Sequence, residues 1–560
     1  MSTSDEAGER LNESRDADVE PRGRRAALWA FLGVEGVGLA LFLVIGRNLW
    51  FHVDEWDFLA ARTGGNLGDL FRPHGNVHPS TLPILAYRFL WTLFGLRTYV
   101  PYRLLLLCLH LGAALLLRVL MRRAGVRPWT ATIAASLFVL FGAGYQDIMW
   151  PTLIGFGGAL LFGLVQLLLA DHDGPLDRRD GLALLAGLAA MLCSALAVTM
   201  VLVVGIATLW RRGWRVAAVL TLPLELMYFV WWVTLARGHY DAKIAPIGLI
   251  ARFVVRTPAN TLQALGQLPG MGLVLGVVLV VGFALAHRRD PRAFRTRLAP
   301  VTALLIGALL FVVNTAVGRA GGSIAATERS RYLYVVALML MPALAVAADA
   351  ITREWRVLAP VVIALFVVGI PGNIKTLADD THSEEPAQQS LRRTVLVMPR
   401  LPIAPRVPRA FVPETTDLGY YIHMGWLVDG VADGKIPSPG RISAAEVATD
   451  TLRLSLTKYY RGLIPPASSA GRCVSPRLPV HLRLDRGQFI VVRHGWFELT
   501  PVPNPPGEVL PLSLRAAKGG FSIGVTSGPV EATIVSHDKQ PILCAPPRAF
   551  VEGPPARVTG

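Results

Sequence analysis

The segment FHVDEWDF at 51–58 places Asp54, Glu55 and Asp57 within four positions, directly after an apolar run. Like charges this close favour protonating one member, which tunes a carboxyl toward general-base duty, or they hold a divalent cation. Carboxylates at a membrane–water boundary are costly to dehydrate and often functional; a solvated loop start is the plain alternative. Next comes PHGNVHPSTLPIL at 73–85, where His74 and His78 lie four apart. Pro73 and Pro79 frame them, so no regular helix presents both imidazoles. A shared metal is disfavoured, and a turn aiming one imidazole near the acidic cluster is expected. Pro79 suits the first turn of a helix over 80–95, apolar and bounded by Gly95, which reads as lying along the membrane surface.

The elements that must position these residues follow from hydropathy. Apolar residues make up 52% of the chain and its mean hydropathy is +0.45, too apolar for one soluble core. They cluster between Ala26 and Ile370 in runs that approach the roughly 20 residues a membrane crossing needs. The formal net charge of +16 does not point to nucleic acid. The arginines sit in short clusters between the apolar runs: Arg118, Arg122, Arg123 and Arg127; Arg178 and Arg179; Arg211, Arg212 and Arg215; Arg288 to Arg297; Arg353 and Arg356. Placing every cluster in the cytoplasm gives about eleven spans, with the N-terminus inside and the C-terminus outside. These are 26–46, 100–121, 128–144, 152–170, 181–194, 197–210, 214–236, 269–287, 298–316, 332–350 and 356–371. The pair within 181–210 is short, as in a shielded or re-entrant hairpin. Segments 47–99, 237–268 and 317–331 become outer loops.

Residues 1–25 read as a disordered cytoplasmic tail, 26–371 as the transmembrane domain with its long first outer loop 47–99, 372–470 as a mixed linker and helical extracytoplasmic segment, and 471–560 as an extracytoplasmic β-sandwich-like domain. Within the linker, 443–462 looks helical, with Ser443 as cap and Glu446 three residues on. From Leu478 period-2 alternation sets in, with a turn at 485–487 and further strands at 509–515, 520–525 and 530–536. Outside the membrane, a disulfide between Cys473 and Cys544 is permitted and expected. Cys108 and Cys193 lie in apolar runs and read as core residues.

An acidic pair just after the first span, followed by His-Pro opening a surface helix, resembles the GT-C-fold membrane glycosyltransferases. Protein O-mannosyltransferases, aminoarabinose transferases and actinobacterial arabinosyltransferases are similar in layout. This chain has Asp54–Glu55 and His78–Pro79–Ser80, where those families often carry a second proline. GYQDIMWPTLIGFGGALLFG at 144–163 resembles their second outer loop, with Asp147 at a second acidic position. TERSRYLYVVALMLMP at 327–342 resembles their last outer loop. The likeness covers 26–371 in layout and these short motifs in detail.

The resemblance implies an inverting sugar transfer from a polyprenyl-phosphate donor to a cell-envelope glycan, lipid or protein acceptor, at the outer face of a bacterial plasma membrane. Asp54 is then the general base, with Glu55 as alternative; Asp57, His78 and Asp147 orient the acceptor. Arginines placed outside against the positive-inside bias bind the donor phosphate: Arg331 foremost, beside Tyr332, then Arg329, Arg72 and Arg256. Snorkelling to headgroups is the plain alternative for each. Trp50, Trp56 and Trp150 read as belt residues before sugar platforms. The families differ in metal use, so no cofactor is assigned and a divalent cation stays open. Two rivals remain. A lipid or glycan transporter would need ionisable residues deep in its spans and inverted repeats; Glu35 and Glu225 are the few deep candidates, and no repeat is visible. A non-catalytic envelope scaffold would keep the fold without the chemistry. The topology is directly testable: a cysteine introduced at Lys435 reacts with a membrane-impermeant maleimide in intact cells, and protection there would reverse the orientation.

Overall fold

The computed structural model describes residues 3–549 except 53, 63–64, 76–77, 238–244, 322–323, 402–403, 408, 410–412, 414–420, 441–459, 464–471, 475–479, 486–487, 503–511, 517–520, 526–529 and 537–541. The chain divides into two compact units. One comprises Met1–Asn48, Asn66–Ala86 and Val100–Glu384; the other comprises Leu49–Gly65, Tyr87–Tyr99 and Glu385–Gly560.

The helices in chain order are α1 (Thr3–Ile45), α2 (Thr81–Phe94), α3 (Val100–Arg123), α4 (Pro128–Val139), α5 (Tyr145–Met149), α6 (Ile154–Ala170), α7 (Arg178–Met191), α8 (Leu196–Arg212), α9 (Trp214–Trp231), α10 (Ile247–Gly266), α11 (Met271–Arg289), α12 (Ala299–Arg319), α13 (Ser330–Glu354), α14 (Ala359–Val367), α15 (Ile370–Val397) and α16 (Met424–Ala432). Among the described residues, eight helical stretches are long and apolar enough to cross a membrane, and α4 with Gly142–Met149, bent by 45°, makes a ninth if the pair is taken as one span. This is a multi-pass membrane protein. Each of the eleven expected spans falls on a helix, yet α7 and α8 have only 14 and 17 residues, so a count of eleven crossings is not established. The turn between them is packed on protein: Leu82 N–H donates to Leu192 O at 3.0 Å, and a Cβ on Gly155 would lie 2.9 Å from Cys193 O. A hairpin shielded in this way does not need the length of a lipid-facing span.

The helix of the first span runs back to Thr3; the Ala, Glu, Arg and Leu of that stretch are good helix formers. The segment 237–268 contains the 20-residue α10. Phe253, Thr257, Thr261 and Leu265 form its buried stripe at i+4 spacing, while Arg252 and Arg256 face outward. Those arginines and Pro258 lower its hydropathy and conceal the amphipathic pattern.

The arginine clusters of this unit meet on one face. At the end of α13, Asp349 accepts from Arg127 Nε at 2.7 Å and from Arg353 Nε at 2.6 Å, and Arg353 also reaches Gly125 O at 2.9 Å. Arg289 pairs with Glu354. Beyond α6, Asp171 pairs with Arg211, and Asp180 takes Arg212 at 2.6 Å. At the other end of α13, Asn373 fixes the turn before α5. Its Oδ1 accepts from Ala143 N–H at 3.2 Å, and its backbone O approaches so closely that a Cβ on Gly142 would stand 1.7 Å away. Only glycine admits that approach.

The second unit gathers Leu49–Gly65 and Tyr87–Tyr99 with the chain from Glu385 onward. The reason lies in specific contacts. Trp50 N–H donates to Gln388 Oε1 at 2.8 Å; Trp426 stacks on Trp91 with centroids 5.2 Å apart and meets Trp56 edge-on at 6.2 Å. Gly95, at φ +55°, lets Leu96 N–H reach Lys435 O at 2.8 Å.

Eight antiparallel strands follow: β1 (Tyr460–Leu463), β2 (Arg472–Val474), β3 (Val480–Leu484), β4 (Phe489–Val502), β5 (Leu512–Ala516), β6 (Phe521–Val525), β7 (Val530–Ser536) and β8 (Ile542–Ala545). The helix expected over 443–462 lies mostly outside the described residues, and its last positions belong to β1, which pairs with β6. β3 pairs with β7 and not with β4 across the 485–487 turn. The 14-residue β4 serves two sheets. Phe489–Val492 pairs with β6, and Phe497–Val502 pairs with β7; the register shifts between Val492 and His494 where β8 pairs. Such a shift bends a strand and lets it pass from one sheet into another.

Cys473 on β2 and Cys544 on β8 face each other in register and are bonded, 71 positions apart. In the chain-entropy account a loop of that length contributes roughly 4 kcal/mol. Cys473→Ser with Cys544→Ser, or reduction of the wild type, is therefore expected to lower the unfolding temperature of the C-terminal domain in a calorimetric scan, while unchanged melting would show that the bond adds nothing.

Candidate functional site

The three adjacent carboxylates of the second unit meet three different environments. Glu55 is fully buried and accepts Tyr87 O–H at 2.6 Å, Tyr99 O–H at 2.8 Å and His52 N–H at 3.0 Å. Three donors hold the Glu55 carboxyl in place. Asp57 is also buried and pairs with the buried Arg62 at 2.7 Å. Asp54 is only half-buried, and its backbone O accepts Asp57 N–H at 3.1 Å as the chain turns. Trp50 and Trp56 are 4% and 0% exposed and pack on each other, so they are core residues and offer no sugar platform.

A second polar cluster lies in the first unit. His74 and His78 exchange backbone hydrogen bonds at 2.9 and 3.0 Å around Gly75, which sits at φ +54°. The His78 ring lies 3.0 Å from Ser194 Oγ. Desolvation holds that imidazole neutral, with positive charge from His74, Arg319 and Arg331 adding to it, so its pKa is pushed down to about 3. Asp147 on α5 is 1% exposed, and among the described residues neither of its oxygens has a hydrogen-bond partner. Arg331, on the first turn of α13, supplies the positive charge acting on it, and the Arg331 Nε is likewise buried without a partner. The adjoining Ser330 Oγ accepts Gln146 N–H at 3.1 Å, tying α5 to α13. One turn on, Tyr334 lies under Gly144, whose Cβ would stand 2.7 Å from the ring. His110 Nε2 faces Val139 O at 3.0 Å and must donate there, so its Nδ1 accepts Tyr334 O–H at 2.9 Å.

Of the other residues singled out, Tyr332 is buried, its ring near Phe253 and Phe311. Arg329 is exposed at the cap of α13, Arg256 is exposed on α10, and Arg72 is exposed 3.8 Å from Asp69. Sequence reasoning missed Arg62, Tyr87, Tyr99, His110 and Tyr334. Their partners lie 5 to 224 positions away, and no local pattern announces such pairs. Among the described residues, the His/Asp group close enough to hold a metal is His172, Asp177 and Asp180. Asp180 is already taken by Arg212 through both oxygens, and Asp177 caps Arg179 N–H. That group reads as an ion-pair network.

These features define a polytopic α-helical membrane protein with a β-rich C-terminal domain and a buried acidic–basic pair at one end of its central helix. No protein-family model matches the chain, and no curated protein matches it. Two solved structures are similar to it. ArnT from Cupriavidus metallidurans bound to undecaprenyl phosphate is 14% identical, with 77% of this chain and 89% of that chain covered at a TM-score of 0.45. The same protein in the apo state is 14% identical, with 76% and 91% covered at 0.46. The likeness is one of chain course and carries no argument about function.

The depressed His78 pKa has a consequence for stability. Above pH 6.5 the group is neutral in both folded and unfolded chains. As pH falls below 6.5 the unfolded chain takes up a proton that the folded one refuses until about pH 3, so folding weakens through that window. His78→Asn should remove this component, seen as a smaller drop in melting temperature between pH 7 and pH 5 for the detergent-solubilised protein.

Proposed function

We propose that the chain is a GT-C-type glycosyltransferase that moves a sugar from a polyprenyl phosphate to a cell-envelope acceptor with inversion. The observation that carries this reading is the Asp147–Arg331 pair: a buried carboxyl and a buried guanidinium nitrogen, neither with a hydrogen-bond partner among the described residues, at the mouth of α13. Unsatisfied buried polar groups are expensive and gather where a polar ligand is handled. A guanidinium suits a phosphodiester, because its planar fork gives two parallel charge-assisted hydrogen bonds. Asp147 beside it sets the orientation of Arg331 and receives acceptor hydroxyls.

In this reading Asp54 takes the proton from the acceptor hydroxyl as it attacks the sugar's anomeric carbon, and the polyprenyl phosphate leaves with the bonding electrons. Partial exposure supports Asp54 over Glu55, whose oxygens are held by two tyrosines and a backbone amide. Asp57 and Arg62 hold the turn that presents Asp54, which makes Asp57 a positioning residue. The lipid tail keeps the donor in the bilayer, and the assignment needs no nucleotide. The role of Asp54 rests on its motif and that of Arg331 on the buried pair, so the two are tested separately.

With lipid-linked sugar donor and membrane extract as acceptor source, Asp54→Asn should lower transfer by at least ~100-fold, the low end for losing a general base. Its melting temperature should stay near that of the wild type. Arg331→Ala should chiefly raise the donor KM, since a phosphate contact exists before and during transfer. Arg331→Lys should restore only part of it. Full activity in Asp54→Asn would remove Asp54 as the base, whereas no transfer by the wild type would leave the scaffold or transporter alternatives standing.

A further inference from the structure

The face on which α3, α6 and α8 end and α7 and α12 begin encloses a cavity of about 370 Å³. Its lining includes Arg123, Arg179, Arg211 and Arg297, with Asp171 as the sole acidic group and Leu168 and Leu169 as an apolar wall. Four guanidinium groups around one space repel one another unless anions sit among them. Asp171 is shared, at 4.0 Å from Arg123 and in contact with Arg211. Asp173 takes Arg211 at 2.8 Å, and Asp290 takes Arg297 at 3.2 Å. Both of these carboxylates stand outside the lining. Among the described residues, the Arg179 guanidinium has no carboxylate partner, although its backbone N–H is capped by Asp177. Within the lining itself four arginines stand against the one carboxylate of Asp171.

We propose that this cavity binds a phosphate-bearing anion, and that the anion is the headgroup of an anionic phospholipid. Arginines that converge from four separate elements match the several oxygens of a phosphate, which each fork engages in pairs. The volume suits an organic headgroup and exceeds what a bare ion needs. The apolar wall offers Leu168 and Leu169 to the first methylenes of an acyl chain. Trp214, 67% exposed with Arg215 over its ring at 5.7 Å, opens the next helix after α8, and aromatic–cationic pairs of this kind mark the interfacial zone. Basic pockets between membrane helices are where anionic headgroups bind. The site is separate from the Asp147–Arg331 pair and its test is independent of sugar transfer.

Native mass spectrometry of the full chain, released from micelles containing equal phosphatidylglycerol and phosphatidylcholine, tests the lipid source. Phosphatidylglycerol should be retained about tenfold over phosphatidylcholine, and Arg179→Ala with Arg297→Ala should reduce that excess about tenfold. Arg292→Ala, an exposed arginine outside the lining, should leave it intact, and the double lysine variant should be intermediate. A second arm follows melting temperature with millimolar inorganic pyrophosphate. Stabilisation of the wild type but not of the double alanine variant, with no lipid preference, would assign the cavity to a soluble phosphate compound and overturn the lipid source. Identical behaviour of wild type and double variant in both arms, with both folded by size exclusion and melting, overturns the site itself.

Discussion

The helix α13 is enclosed by protein along the whole of its apolar length, and both polar ends of the membrane unit depend on that enclosure. A helix apolar on every face must be surrounded, either by lipid or by other helices. Here α4, α10, α11 and α12 pack around it. Its ends then cannot wander. At one end Asp349 draws in Arg127 and Arg353; at the other Arg331 and Ser330 meet α5. The central helix thus carries a satisfied ion cluster at one end and an unsatisfied pair at the other. Satisfied clusters hold structure; the unsatisfied pair is the place where chemistry is to be sought.

The acidic motif shows how packing gives neighbouring like residues different work. Asp54, Glu55 and Asp57 share one charge and one short segment. Glu55 turns inward to two tyrosine hydroxyls and Asp57 to Arg62, and those contacts fix the turn. Tyr87 and Tyr99 come from beyond the 66–86 stretch, so the motif is assembled only when the two ends of segment 47–99 fold back together. The same folding buries Trp50 and Trp56 as core. The aromatic residues that looked available to a sugar ring are the packing that makes the acidic turn rigid.

In the C-terminal domain one long strand plays the organising part. β4 supplies edges to β5, β6, β7 and β8, so every other strand but β1, β2 and β3 pairs with it directly. β2 is pinned to β8 by the Cys473–Cys544 bond. A domain whose strands are short gains from one strand that spans two sheets and from a covalent clamp at its edge.

The sequence by itself determined the membrane character, the helices beneath the eleven apolar runs, the onset of strands near residue 480 and the partnership of the two soluble-domain cysteines. These are local or compositional: hydrocarbon demands apolar length, a strand demands period-2 alternation, and the arginine clusters cannot enter lipid. It also marked Asp54, Asp147 and Arg331 by type and order along the chain. It did not show α10, because Arg252, Arg256 and Pro258 lower the hydropathy of that segment below that of the other apolar runs, nor the strand pairing of β3 with β7, because register is a long-range choice. Only the tertiary structure decided that Glu55 and Asp57 are buried while Asp54 is half-buried, that among the described residues the Arg331 Nε and the Asp147 oxygens lack hydrogen-bond partners, and that four arginines from distant segments line one cavity. Each of those facts depends on residues far apart in sequence meeting in space, and burial and partnership are properties of the meeting, not of the residues.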